Sequence, residues 1–117
     1  MSKTRRSSVR DMGGTFRNCM CFNAPIGTWD VSAAMWMDSM LEGCKKFNQP
    51  LGAWNVSSTL CLNTMFYDAI IFNQDISGWD MSSNTNMAGM FEGCLINPAH
   101  IPAGATLPGP PEPGPPE

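Results

Sequence analysis

The chain repeats itself every 25 residues, and that interval constrains its fold more than any single segment does. Phe22 opens FNAPIGTWDVSAAMWMDSMLEGCKK, Phe47 opens FNQPLGAWNVSSTLCLNTMFYDAII and Phe72 opens FNQDISGWDMSSNTNMAGMFEGCLI, with no gap between them. A fixed period of this size marks a repeat array, in which each unit buries its apolar face only against its neighbours. The columns run Phe22, Phe47 and Phe72; Asn23, Asn48 and Asn73; Trp29, Trp54 and Trp79; Met40, Met65 and Met90; Cys44, Ala69 and Cys94. Subtracting one more period places Met12, Phe16 and Cys19 in the columns of Met37, Leu41 and Cys44, so a half unit stands before the first full one.

Two local patterns alternate within each unit. Ile26, Trp29 and Val31 read as a short strand with one buried face, as do Leu51, Trp54 and Val56, and Ile76, Trp79 and Met81. Met37, Met40, Leu41 and Cys44 then fall at i, i+3, i+4 and i+7, one face of a short helix ending near Gly43. The expected fold is therefore α/β: a short right-handed, leucine-rich-repeat-like solenoid with one short parallel strand and one short helix per 25-residue turn.

The FNQ, W-D-V-S and M-x-x-M-F-x-G-C runs recur from about Ser7 to Ile96 and resemble the BspA-type leucine-rich-repeat surface proteins. The resemblance implies a repeat surface for protein recognition or adhesion, not a catalyst. It also implies a place at the cell surface if the chain is a piece of a longer protein.

Composition sets the boundaries. Residues 1–6 read as a flexible N-terminus and 7–101 as the solenoid, with a half repeat at 7–21, full repeats at 22–46, 47–71 and 72–96, and a degenerate cap at 97–106. Residues 107–117, LPGPPEPGPPE, read as a disordered, polyproline-type tail, a spacer or a PxxP ligand. Met, 10 in all, falls mostly in repeat columns, where its flexible side chain fills gaps between turns. No apolar run approaches the length of a bilayer span, and no export signal follows the basic residues of MSKTRRSSVRDMGG. No basic aromatic surface suggests nucleic acid. Localisation stays open.

The Trp column should face inward, and the Asn column should hydrogen-bond exposed backbone. The outward positions between the apolar ones make the candidate binding face: Thr28, Asp30 and Ser32, then Asn55 and Ser57, then Asp80 and Ser82. An unknown protein partner is the expected ligand. The alternative is a calcium-type or hydrolytic surface on the Asp30, Asn55 and Asp80 ladder. No cofactor, catalytic set or metal set is expected: the 5 cysteines contain no CxxC pair, and His100 has no partner at a useful spacing, so it reads as a surface residue. Cys19, Cys44 and Cys94 share a core column, while Cys21 and Cys61 should be more exposed. Ser8, behind Arg5 and Arg6, resembles a basophilic kinase site, and Asn55-Val56-Ser57 fits a glycosylation acceptor. The uncapped end at Met12 and Phe16 invites self-association.

Overall fold

The 25-residue register is kept by the backbone. In the computed structural model, which describes residues 9–108, Asp11, Trp36, Cys61 and Asn86 pair in succession as parallel bridges one period apart. Around the bridges every second N–H crosses to the following unit. Met37 N donates to Cys61 O (3.0 Å), Ser39 N to Asn63 O (3.0 Å), Leu41 N to Met65 O (3.0 Å) and Gly43 N to Tyr67 O (2.7 Å). The same pattern joins Met12, Gly14, Phe16 and Asn18 to the unit after them, and Leu62, Thr64, Phe66 and Asp68 to theirs. The intervening N–H groups stay within their own unit: Met40 donates to Met37 O, Glu42 to Ser39 O and Cys44 to Leu41 O, each closing a β-turn.

This corrects the expected fold. Among the described residues the only element beyond isolated bridges is a 3-10 helix, Pro98–His100, so there is no sheet, no α-helix and no α/β leucine-rich-repeat-like solenoid. Backbone dihedrals give the reason. Ser39 and Gly43 lie at φ 59° and 73°, and a left-handed residue at every fourth position stops a right-handed helix from propagating. The same two columns are left-handed in every unit: Gly14, Ser39, Thr64 and Gly89 in one, Asn18, Gly43, Asp68 and Gly93 in the other. The expected strands are turns as well. Trp29 N bonds back to Ile26 O (3.0 Å) and Ala34 N to Val31 O (2.9 Å), and the equivalents follow in the next two units.

In the second column side chain and glycine alternate along the stack. A Cβ at Gly43 would overlap the Asn18 side-chain oxygen, and one at Gly93 would overlap that of Asp68. A side chain here therefore needs a glycine in the unit that follows.

Side chains complete the stacking. Phe47 lies parallel to Phe22 and Phe72, with ring centroids 5.6 and 5.9 Å apart. Phe66 sits between Phe72 (4.3 Å) and Phe91 (5.6 Å). Trp54 and Trp79 are buried and stacked at 6.3 Å, and each indole N–H donates to the preceding unit, to Ile26 O and Leu51 O. Asn48 N and Asn73 N donate to the Oδ1 of Asn23 and Asn48, both at 2.9 Å. Buried Thr59 donates its hydroxyl to Ala34 O (2.9 Å), satisfying a carbonyl inside the core.

The array does not lapse at Asn97 as a gapless period implies. Asn97 N donates to Asn73 Oδ1 (2.7 Å), which continues the Asn column one residue early, and buried Ile96 precedes it as Phe72 precedes Asn73. Asn97 then caps the 3-10 helix through Ala99 N. His100 is half-buried, and its Nδ1 lies 3.0 Å from Asn73 Oδ1, so it is not the free surface residue the sequence suggested. Ile101, Ala105 and Leu107 pack against the core. Residues 1–8, with the Ser8 motif, and 109–117, with the PxxP reading, lie outside the described residues.

Candidate functional site

The candidate residues sit in one repeated loop. Asp30 Oδ1 accepts from Ser32 N (3.0 Å) and Ser32 Oγ (2.6 Å), and Asn55 Oδ1 accepts from Ser57 N (3.0 Å) and Ser57 Oγ (2.7 Å). Asp80 Oδ1 accepts from Ser82 N at 2.9 Å. Each is an Asx turn, in which a short side chain fixes the backbone two residues on. The result is a row of hydrogen-bonded loops along one side of three successive units, not the outward face of strands. Thr28, Asp30, Asn55, Asp80 and Ser82 are exposed, and Ser32 and Ser57 half-exposed.

Two separate grooves border some of these residues. Thr28 lies on a groove of about 290 Å³ with Pro25, Gly27, Gln49, Pro50 and Gly52. Asp80 and Ser82 border another, of about 450 Å³, with Trp79, Met81, Met87 and Gly104. Among the described residues no three His, Cys, Asp or Glu side chains are grouped to hold a metal ion.

The row is acidic and stays ionised. The Ser32 hydroxyl, and after it the Ser32 N–H, holds the Asp30 carboxyl below its ordinary value, and Ser82 does the same for Asp80. Asp75, passed over in the sequence because Pro25 and Pro50 occupy its column, makes the same turn with Ser77 N (2.9 Å) and is lowered first by the Ser77 hydroxyl. The D-x-S spacing shared by Asp30, Asp75 and Asp80 was the signal that could have found it.

A lowered folded pKa stabilises the fold above the ordinary Asp value of about 3.9, and that contribution is lost as pH falls through the folded value. Asn55 makes the same bonds without a charge. Replacing Asp30 and Asp80 together by Asn should therefore leave the melting temperature at neutral pH nearly unchanged and make its fall below pH about 4 shallower than in the parent. Thermal melts across an acid series read both effects.

The cysteines separate by environment. All 5 are free thiols. Burial pushes Cys44 and Cys94 up to about 11, and the Cys44 thiol lies 3.0 Å from Phe16 O. Cys19 is exposed, contrary to its core column, because among the described residues no unit is stacked on its outer side; Cys21 is exposed too, and Cys61 half-buried. In the native protein a thiol-alkylating reagent should label Cys19 and Cys21 and spare Cys44 and Cys94 until denaturant is added, as read by peptide mass mapping.

Sequence reasoning also missed an apolar edge. Met20, Ile70 and Leu95, with Lys45 between the first two, share one column and are exposed, Leu95 at 75%. Ile71 is exposed beside Ile70. Nothing in their spacing separates them from core positions.

No helix among the described residues is long and apolar enough to cross a membrane. Neither a curated protein nor a solved structure matches the chain. A family model described as "Mycoplasma protein of unknown function, DUF285" matches residues 1–101, which carry the whole 25-residue register. The match is to a repeat-type family and not to the BspA-type leucine-rich repeats as such. With that match spanning every repeat unit, the chain belongs to the DUF285 family.

Proposed function

We propose that the chain is a non-catalytic repeat module for protein recognition or adhesion, acting at a cell surface as its BspA-like motifs suggest. Its contact face is the row of Asx turns bearing Thr28, Asp30, Ser32, Asn55, Ser57, Asp80 and Ser82. The observation that carries the reading is the repeated use of Asp and Asn oxygens to fix exposed loops in one register. Loops held by a stacked scaffold present side chains at low entropic cost, which favours recognition of an extended partner. Membership of a repeat-type family agrees with this.

Asp30, Asp75 and Asp80 keep their charge, so the partner segment should carry Lys or Arg. The test is selection of displayed peptides on the folded chain, followed by binding to the Asp30→Lys, Asp80→Lys double variant. Basic peptides that lose about tenfold or more in affinity for that variant support the face. Peptides that bind both proteins equally place recognition elsewhere. A calcium-type site finds no support in the geometry, since Asn55 separates the two carboxylates in the row and no acidic cluster forms among the described residues.

A further inference from the structure

The two ends of the stack are complementary, and we infer that copies of this chain associate head to tail in the same register that joins units within it. This inference stands apart from the recognition face, which lies along the side of the stack.

At the first rung the carbonyls of Asp11, Gly13, Thr15 and Arg17 occupy the positions whose counterparts at Trp36, Asp38, Met40 and Glu42 accept from the preceding unit, and among the described residues they accept nothing. At the last rung the N–H groups of Met87, Gly89, Phe91 and Gly93 occupy the donor positions of Leu62, Thr64, Phe66 and Asp68, and among the described residues they donate to nothing. Four acceptors at two-residue spacing on one end thus match four donors at the same spacing on the other. Chains that add to an exposed edge in this way draw affinity from the backbone and specificity from the side-chain columns.

The columns agree across the junction. Arg17 pairs with Glu42 one period on, Nε to Oε2 at 3.6 Å, and head-to-tail stacking sets the Arg17 of the incoming copy beside Glu92. Met20 and Leu95, the two most exposed large apolar residues among those described, sit in one column at opposite ends, 55% and 75% exposed, and would cover each other. The alternating column also continues: Gly93 ends it without a side chain, and the incoming Asn18 would follow Gly93 as Asp68 follows Gly43. Thr106, Leu107 and Pro108 flank the last rung across a groove of about 310 Å³, where the incoming rung enters. Because the two faces differ, the contact is heterologous, and because it repeats the stacking that joins units within the chain, it adds copies in a line.

Light scattering and sedimentation of the full chain over a rising concentration series test this. The mass should climb above 12.7 kDa without settling at one oligomer. Leu95→Asp and Glu92→Arg should each weaken association by about tenfold or more, with melting temperature unchanged because both side chains are exposed. Arg17→Glu should weaken it likewise. Mixing the Arg17→Glu and Glu92→Arg chains makes both alternating junctions complementary in charge and should restore an open-ended rise in mass that neither shows alone. A parent chain that stays at 12.7 kDa throughout overturns the inference, as does association that all three variants leave unchanged. A mixture no heavier than its components overturns the register.

Discussion

Replacing Gly43 by alanine is expected to destabilise the protein by about 3 kcal/mol, from two separable causes. The first is conformational: Gly43 lies at φ 73°, where a Cβ costs about 1–2 kcal/mol. The second is steric: that Cβ would overlap Asn18 Oδ1 and come within 3.3 Å of Asn18 Cα, a forced displacement worth about 1–3 kcal/mol. Gly14 isolates the first cause, since it has φ 68° and nothing lies within 4 Å of where its Cβ would stand, so Gly14→Ala should cost only about 1–2 kcal/mol. Asn18→Gly isolates the second. In that background Gly43→Ala should cost about as much as Gly14→Ala, because the overlapping oxygen is gone. Urea titration of the parent and the four variants reads the differences. A Gly43→Ala penalty unchanged by Asn18→Gly would show that the column does not alternate for steric reasons.

That column shows how far the sequence could be read. Asn18, Gly43, Asp68 and Gly93 are the residue types that enter the left-handed region most readily, so the signal for a repeated turn was present. It was outweighed by the spacing of Met37, Met40, Leu41 and Cys44, which fits a helix face. Consecutive four-residue turns bring side chains inward at nearly the same intervals, so periodicity alone does not separate them from one helical stretch. The companion column was harder still. Ser39 and Thr64 lie at φ 59° and 53° although neither residue type favours it, and their hydroxyls meet at 2.7 Å across the units. Only Gly14 and Gly89, in the same column, hint at it.

Other features were legible because they depend on register and not on element type. The inward placement of Trp54 and Trp79 and the burial of Phe47 and Phe72 follow from the columns alone. The bond from the Asn column to the backbone was legible too, although Asn23 and Asn73 are exposed and not buried. The candidate face was legible as a set of outward residues, but its Asx turns were not, because a strand assignment gives those oxygens no backbone partner. The continuation of the Asn column at Asn97 was hidden in the degenerate cap, since one missing residue moves the column from 25 to 24 positions on, a shift that only the hydrogen bond to Asn73 exposes.

Truncating Phe66 should have the largest effect of any single change in the core. The ring is fully buried and lies parallel to Phe72 at 4.3 Å and Phe91 at 5.6 Å, with Trp79 tilted against it at 6.2 Å. It therefore joins its own unit to the next one through both aromatic columns. Phe66→Ala removes that contact and leaves a cavity between units that hold no helix or sheet to absorb it, at a cost of about 3–5 kcal/mol. Phe66→Leu should cost far less, about 1 kcal/mol, because Leu41 occupies the same column and is itself fully buried. The two variants also differ in kind. Stability in a stacked array is a sum of units and the interfaces between them, so loss of one interface should broaden the melting transition as well as lower it. Calorimetry would show a lower, broader transition for Phe66→Ala and a slightly lowered, equally sharp one for Phe66→Leu. Equal losses in the two variants would mean that the Phe66 ring is not what couples the second full unit to the third.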